Sequence, residues 1–393
     1  MKHSRAGLAD SIMLVIWVTV SAMLAWLAFS LGGVDFNVYY AAGRVTLHGG
    51  NPYEYTQLAK EITSVTEINN PYYYAPWFTW SILPLSLLPF PVARLLWACS
   101  NFALWFLALF SLQGLVDWPP PGWRRWGMYL FVTVLFAWST WGFEQVGILI
   151  FFLFTLALQA VEKKKWTAGI WLSLLLFKPN ITALPILVIC LWLIRNRNWR
   201  PVLVAAVTTI AVLAVSVAVS PGWYNALLTP DKLAGLSFKF SESGAISMLR
   251  HNTTLKDWLT AYHASASVST ILPWIATVFG LLFLSWRIVK PVPFIQTTME
   301  ALVVTFAITP YALYYDYPSL TLALFFANRK SHSNPLLTLI QIGLNMAIIA
   351  SLFVGTTISY RYWTVILIAV LMAFQHVAEG FDVASSNSAV PTF

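Results

Sequence analysis

The sequence predicts an all-α polytopic membrane protein: a bundle of about 12 transmembrane helices with a helical first loop and a re-entrant or interfacial segment near residues 75–90. Three observations carry this expectation. Of the 393 residues, 59% are hydrophobic and only 10% are charged, against about 25% charged in a soluble protein. Apolar runs recur at 10–31, 92–114, 126–142, 145–161, 165–179, 181–195, 200–219, 266–287, 294–310, 315–328, 335–354 and 360–378, most of them close to the ~20 residues that a membrane helix needs. The basic residues fall in compact clusters between those runs, as topology signals do.

Taken in order, the N-terminus is short and basic (Lys2, His3, Arg5) and leads into a run, Ser11 to Leu31, longer than the core of a signal peptide. It predicts an uncleaved first helix with a cytoplasmic N-terminus. Residues 32–74 form a first loop in which 36–47 and 54–66 have helix-compatible composition around a Gly49-Gly50-Asn51-Pro52 break. Segment 75–90 carries Pro84 and Pro89 and is ambiguous by hydropathy. If it does not cross, Lys2, Arg5, Arg124, Arg125, Lys163, Lys164, Lys165, Arg195, Arg197, Arg200, Arg287, Lys290, Arg329 and Lys330 share the cytoplasmic side. If it crosses, every cluster after residue 90 flips outward, so charge favours a segment that enters without crossing. Backbone of that kind is tolerated at depth where it is buried in protein or lines a cavity.

The later chain adds a second long outer loop, about 220–264. The acids are lopsided, with Asp35, Glu54, Glu61, Glu67, Glu144, Asp231, Glu242, Asp257, Glu300 and Asp316 assigned to or near the outer side. Residues 1–380 read as one domain and 381–393 as a disordered tail, both termini cytoplasmic. There is no inverted or internal repeat.

Several function classes are disfavoured. The net charge of +8 is scattered in topology clusters, which points to anionic lipid headgroups and not to nucleic acid. Cys99 and Cys190 lie in apolar runs without His or acids at metal-ligand spacing. No phosphate-cradling Walker loop, His-Glu-x-x-His or Gly-x-Ser-x-Gly is present. The absence of an Asp-x-Asp pair favours chemistry with a single phosphate and no metal or other cofactor.

Four places are candidates for chemistry. Asp35 lies just past the first apolar run, in Asp35-Phe36-Asn37-Val38-Tyr39-Tyr40, ahead of Tyr53. It is either a general base at the membrane rim or a helix cap or partner of Arg44. Lys178, in Phe177-Lys178-Pro179, is either a contact for an anion such as a lipid-linked phosphate or a snorkelling helix-end lysine; Arg44, Arg250, His251 and Lys256 offer similar charge from the loops. The stretch from Thr309 to Pro318 sets four tyrosines and Asp316 between two prolines, and Tyr315 with Asp316 suits a sugar, whose apolar faces pack on rings and whose hydroxyls meet a carboxylate. The alternative is an aromatic belt. Glu144 and Gln145, at a hairpin, either bind an acceptor or satisfy helix ends.

The order and spacing of these motifs resemble glycosyltransferase family 87 of the GT-C superfamily. The resemblance rests on Asp35-Phe36 to Tyr39 with Gly49-Gly50-Asn51-Pro52-Tyr53, on Tyr74-Ala75-Pro76 leading to Leu88-Pro89, on Lys178-Pro179, and on Thr309-Pro310 leading into Tyr315-Asp316. It implies a GT-C-type bundle in the plasma (inner) membrane with an extracytoplasmic site under the first loop. It also implies inverting transfer of a sugar, mannose first, from a polyprenyl-phosphate donor to a glycan or glycolipid acceptor. Carried over by position, Asp35 is the base and Lys178 a phosphate contact. From their own chemistry, Arg44, Arg250, His251 and Lys256 are the further candidates for the donor phosphate, and Tyr39, Tyr40, Tyr53, Glu144, Gln145, Tyr315 and Asp316 those for sugar and acceptor. The chain departs from the family where it has Phe143-Glu144-Gln145-Val146-Gly147 in place of Gly-Gln-x-Asn, and where Tyr315 and Asp316 stand in place of histidines. The alternatives are a pentosyl (arabinofuranosyl-like) transferase of the same fold and a transporter or flippase for a lipid-linked sugar.

Overall fold

The computed structural model describes residues 2–30, 35–63, 72–116, 123–220, 223–224, 253–329, 334–351, 353–354 and 358–388. Each of the apolar runs contains α-helix. The first half comprises α1 (Lys2–Ser30), α2 (Asp35–Leu47), α3 (Tyr55–Thr63), α4 (Pro76–Ser86), α5 (Phe90–Leu112), α6 (Trp123–Val132) running through a π-helical turn (Thr133–Ala137) into α7 (Trp138–Phe143), and α8 (Gly147–Glu162). It continues with α9 (Ala168–Leu175), α10 (Pro179–Arg195), α11 (Trp199–Val219), α12 (Leu255–Ala261), α13 (Ala266–Val289) and α14 (Phe294–Ile308). A 3-10 turn (Tyr314–Ser319), α15 (Leu320–Ala327), α16 (Pro335–Ala350), a second 3-10 turn (Ile358–Arg361) and α17 (Tyr362–Ser388) complete it. No strand occurs among the described residues.

Among the described residues, five helices are long and apolar enough to cross a bilayer: α5, α11, α13, Leu8–Ser30 of α1 and Tyr362–Glu379 of α17. Helix α11 exposes Leu203, Val207 and Ile210, and α13 exposes Trp274, Phe279 and Leu282. Contiguous apolar surface of this kind is at home in lipid, not water, and the chain is a membrane protein. Four more apolar helices, α8, α10, α14 and α16, are shorter. Twelve unbroken spans are therefore not what the structure shows. Run 165–179 yields only the eight-residue α9, about 12 Å long, because Pro179 starts a new helix. Run 315–328 is divided between the 3-10 turn, which contains Pro318, and the equally short α15.

Run 126–142 is interrupted by the π turn. The extra residue of that turn buries Thr133, whose hydroxyl accepts from the Trp17 and Trp105 indoles at 3.0 and 2.9 Å and donates to the Tyr129 carbonyl at 2.7 Å. One hydroxyl thus fastens α1 and α5 to α6.

Segment 75–90 becomes α4, 11 residues or about 16 Å, too short for a core of about 30 Å. Ala75 is extended ahead of Pro76, which opens the helix. Helix α4 lies on α2, where Gly43 permits contact so close that a Cβ would sit 2.0 Å from Ser86 Oγ. One expectation is corrected. Helix α17 runs on to Ser388, into the segment expected as a disordered tail, the helix of the last span continuing past it. Glu300 is held bidentately by Arg287, both bonds 2.6 Å, where α13 and α14 pack together.

Gly147, the first residue of α8, lies against the 3-10 turn of Tyr314–Ser319. A Cβ there would stand 2.1 Å from the Tyr315 carbonyl oxygen, and backbone cannot rotate away. Gly147→Ala is expected to push the turn off α8 and destabilise the fold by about 1–3 kcal/mol. Thermal unfolding in detergent checks this, and a melting temperature equal to wild type would contradict the close approach.

Candidate functional site

Asp35 opens α2, half-buried, where the helix dipole favours a carboxylate. The Gln145 amide nitrogen donates to Asp35 Oδ2 at 2.5 Å. The Gln145 oxygen accepts from the Tyr39 and Tyr74 hydroxyls at 2.7 and 2.8 Å. These contacts fix the amide's orientation, since an ionised carboxylate can only accept. Burial, with the charge of Asp35 adding to it, holds the Tyr39 and Tyr74 phenols well above the usual range, so both remain neutral donors. The rings are seated by packing: Tyr39 meets Phe78 and Tyr74 edge-on, both at 5.1 Å, and Phe36 stacks on Trp97 at 5.6 Å. Chain that starts at the end of α1 is thereby joined to the α7–α8 hairpin and to the start of α4.

Lys178 sits in the turn between α9 and α10, its position set by Pro179. Its ammonium donates to Asp316 Oδ1 at 2.5 Å, and both side chains are buried. It also lies 5.5 Å from the Tyr74 ring centroid and 5.4 Å from that of Tyr315, within the range of cation–π attraction. Asp316 Oδ2 accepts from the Leu313 backbone N–H at 3.1 Å, closing the 3-10 turn. The Asp35 charge acts on the Tyr311, Tyr314 and Tyr315 phenols, so the two carboxylates, the lysine and a wall of tyrosines form one polar cluster in an apolar bundle.

Glu144 stands where the resemblance expects glycine, and its backbone shows why: φ is 54°, the left-handed region. The Trp97 indole donates to its carbonyl at 2.8 Å, and Arg94 Nε donates to its Oε1 at 2.6 Å. Arg94 also donates to the Phe29 carbonyl at 2.9 Å. Oε2 of Glu144 is buried with no hydrogen-bond partner among the described residues. Burial pushes this carboxyl up to about 7, Arg94 lowering it in part and Asp35 adding to the rise.

Other expected site residues are elsewhere. Arg44 faces Glu61 at 3.7 Å, so the Arg44 pairing proposed for Asp35 is not formed. The Tyr40 hydroxyl donates to the Leu88 carbonyl at 2.8 Å, and that of Tyr53 to the Tyr74 carbonyl at 2.6 Å; both brace the loop and do not face Asp35. Lys256 is exposed on α12. Arg250 and His251 lie outside the described residues. Residues not predicted for the site are Tyr74 and Arg94, whereas Tyr311 is one of the four tyrosines of the Thr309–Pro318 stretch. Tyr74 had a signal, in the run Tyr72-Tyr73-Tyr74 before Ala75-Pro76, whereas nothing local marks Arg94.

The Glu144 shift gives a signed pH prediction. Its folded value is raised, so between about 4.5 and about 7 the folded state holds a proton that the unfolded chain has lost. Stability from this group is complete below about 4.5 and is lost as pH rises through about 7. Glu144→Gln should remove that slope in detergent melting curves; a variant whose melting temperature tracks wild type across this range would show that Glu144 does not titrate there.

Among known proteins, the family model described as glycosyltransferase family 87 matches residues 72–310, more than half of the chain. No curated protein matches it. The match takes in Gln145 and Lys178 and their helices, with Asp35 before it and Asp316 after it. On this match the chain belongs to glycosyltransferase family 87, and it is a membrane glycosyltransferase.

Proposed function

We propose that this enzyme is an inverting transferase. It takes a sugar, mannose first, from a polyprenyl-phosphate donor and attaches it to a hydroxyl of a glycan or glycolipid on the extracytoplasmic face of the membrane. The observation that carries this reading is the placement of Asp35. A carboxylate at the start of α2 is oriented by Gln145, among tyrosines that supply rings and hydroxyls for a sugar and beside the Lys178–Asp316 pair. Such a carboxylate suits removal of a proton from an acceptor hydroxyl in a site shielded from bulk water.

In the proposed step the acceptor oxygen attacks the anomeric carbon from the face opposite the phosphate. The new C–O bond forms as the bond to the phosphate oxygen breaks, the acceptor proton passes to Asp35, and polyprenyl phosphate departs with the electron pair. A phosphate monoester is already a fair leaving group. Positioning and charge stabilisation therefore contribute more than acid assistance. Gln145 holds the base, and Tyr74 and Tyr315 flank the sugar. Because the donor carries one phosphate, no metal is needed to bridge a diphosphate, and the reaction is expected to proceed in EDTA. A pentose in place of mannose would use the same machinery.

The test is transfer by purified protein from polyprenyl-phosphate-mannose to a panel of mannosides, with EDTA present. Asp35→Asn should lower the rate by about 10²–10⁴, the range of general acid–base assistance, while the protein elutes and melts as wild type. A folded Asp35→Asn enzyme with full activity would remove Asp35 as the base. Gln145→Leu is expected to lower kcat about tenfold, leaving donor KM close to wild type, because it misplaces the base without touching the donor. An increase confined to KM would assign Gln145 to substrate binding instead.

A further inference from the structure

Under the donor reading above, one lipid phosphate must meet positive charge, and most of the cations near the cluster are committed. Lys178 is paired with buried Asp316 at 2.5 Å, Arg94 with Glu144 at 2.6 Å, and Arg44 faces Glu61 at 3.7 Å. Arg361 differs: it is half-buried, and among the described residues it is in no ion pair. Its guanidinium carbon lies 3.9 Å from the centroid of the Tyr314 ring. The Tyr314 ring is 6.0 Å from that of Tyr315, the ring over which Lys178 lies at 5.4 Å. Asp35 acts electrostatically on both tyrosines. The Tyr314–Tyr315 pair thus carries a paired lysine on one ring and, on the other, an arginine that meets no carboxylate among the described residues.

The surroundings of Arg361 fit a lipid phosphate. It ends the 3-10 turn of Ile358–Arg361, directly before α17, one of the span-length helices. The Tyr360 hydroxyl ties that turn to the Ala261 carbonyl at 3.1 Å, and the Trp363 indole donates to the Tyr262 hydroxyl at 2.8 Å. Trp258 meets the Trp363 ring edge-on at 5.2 Å. Amphipathic rings of this kind settle at the headgroup level of a bilayer, which is where the phosphate of a lipid-linked sugar lies when its chain is in the membrane.

We infer that Arg361 is the donor-phosphate residue: its guanidinium receives the phosphate of a polyprenyl-phosphate sugar at the membrane rim, with the sugar directed across the Tyr314–Tyr315 pair toward Asp35. A guanidinium offers a planar fork of N–H donors matched to two phosphate oxygens, and the Tyr314 ring holds that plane in place. As C–O cleavage delivers a second negative charge to the phosphate, the same contact strengthens, which is the kind of stabilisation that raises a rate. The Lys178–Asp316 pair then serves the sugar and the architecture, not the phosphate.

Binding of polyprenyl phosphate and of polyprenol to purified protein in detergent, followed by tryptophan fluorescence, tests this. Wild type should prefer the phosphate. Arg361→Gln should weaken polyprenyl phosphate about tenfold or more, leave polyprenol unchanged, and melt near wild type. Arg361→Lys, which keeps the charge without the fork, should fall between wild type and Arg361→Gln. Phosphatidylglycerol in excess should not compete. A wild-type preference that survives intact in Arg361→Gln but is lost in Lys178→Gln overturns the assignment in favour of Lys178 and leaves the donor reading standing. Competition by phosphatidylglycerol in excess makes Arg361 a general anionic-lipid contact and overturns it as well. A wild type that does not distinguish polyprenyl phosphate from polyprenol overturns the donor reading itself.

Discussion

The buried pair of Lys178 and Asp316 is the interaction on which the arrangement of the site depends. Each partner sits where a helix has been broken, Lys178 between α9 and α10 and Asp316 in the 3-10 turn before α15. Neither charge tolerates removal from water alone, and loss of one partner of such a pair costs about 3–5 kcal/mol. The pair therefore joins two interruptions that an apolar bundle would otherwise have no reason to bring together. Gly147 and Thr140 complete the joint: Gly147 lets α8 approach the Tyr315 carbonyl, and the Thr140 hydroxyl donates to that same carbonyl at 3.0 Å. Broken helices that meet in the interior are the membrane-protein way of placing polar groups at depth, because their freed backbone groups find partners in protein.

Around Asp35 the design is one of enforced roles. Gln145 cannot reverse its amide without setting its oxygen against a carboxylate, and the two tyrosines that hold that oxygen are kept neutral by burial. The Asp35 carboxylate is thus held by a donor that cannot take a proton from it. Glu144, next in sequence, has the opposite character: a carboxyl at a left-handed residue, stabilised by Arg94 and Trp97. A non-glycine residue in this conformation carries a strain of about 1–2 kcal/mol, and the ion pair and indole contact give the physical reason it is tolerated.

How much of this was legible beforehand follows from what each signal depends on. Hydropathy is a local property, and each of the apolar runs contains α-helix. The positive-inside argument favoured a non-crossing 75–90, and α4 is too short to cross. Span continuity was less legible, because a π turn at Thr133 and a 3-10 turn at Tyr314 arise from tertiary contacts with Trp17, Trp105 and Gly147 that no window along the chain contains. At the site, Asp35, Lys178, Asp316 and Gln145 each carried a local signal, a polar group at the end of an apolar run. Their pairing did not: Lys178 reads alone as a cation for a ligand, and only the fold shows that a carboxylate 138 positions away already holds it. Arg361 was hidden for the converse reason, since an arginine between tyrosines before a last span reads as belt until the Tyr314 ring appears beneath it.

The extent of the family match adds a last constraint. Residues 72–310 are matched, yet Asp35, Asp316 and Arg361 lie outside that stretch. Each principal contact of the cluster crosses its boundary: Gln145 inside holds Asp35 outside, and Lys178 inside holds Asp316 outside. The matched part therefore acts as the scaffold that receives polar groups from the two flanks, and its own Gln145, Tyr74 and Lys178 are the receiving surfaces. The geometry of the Asp35–Gln145 and Lys178–Asp316 contacts, and not the sequence around Asp35 or Asp316, is then the feature that ties the chemistry of the flanks to the fold.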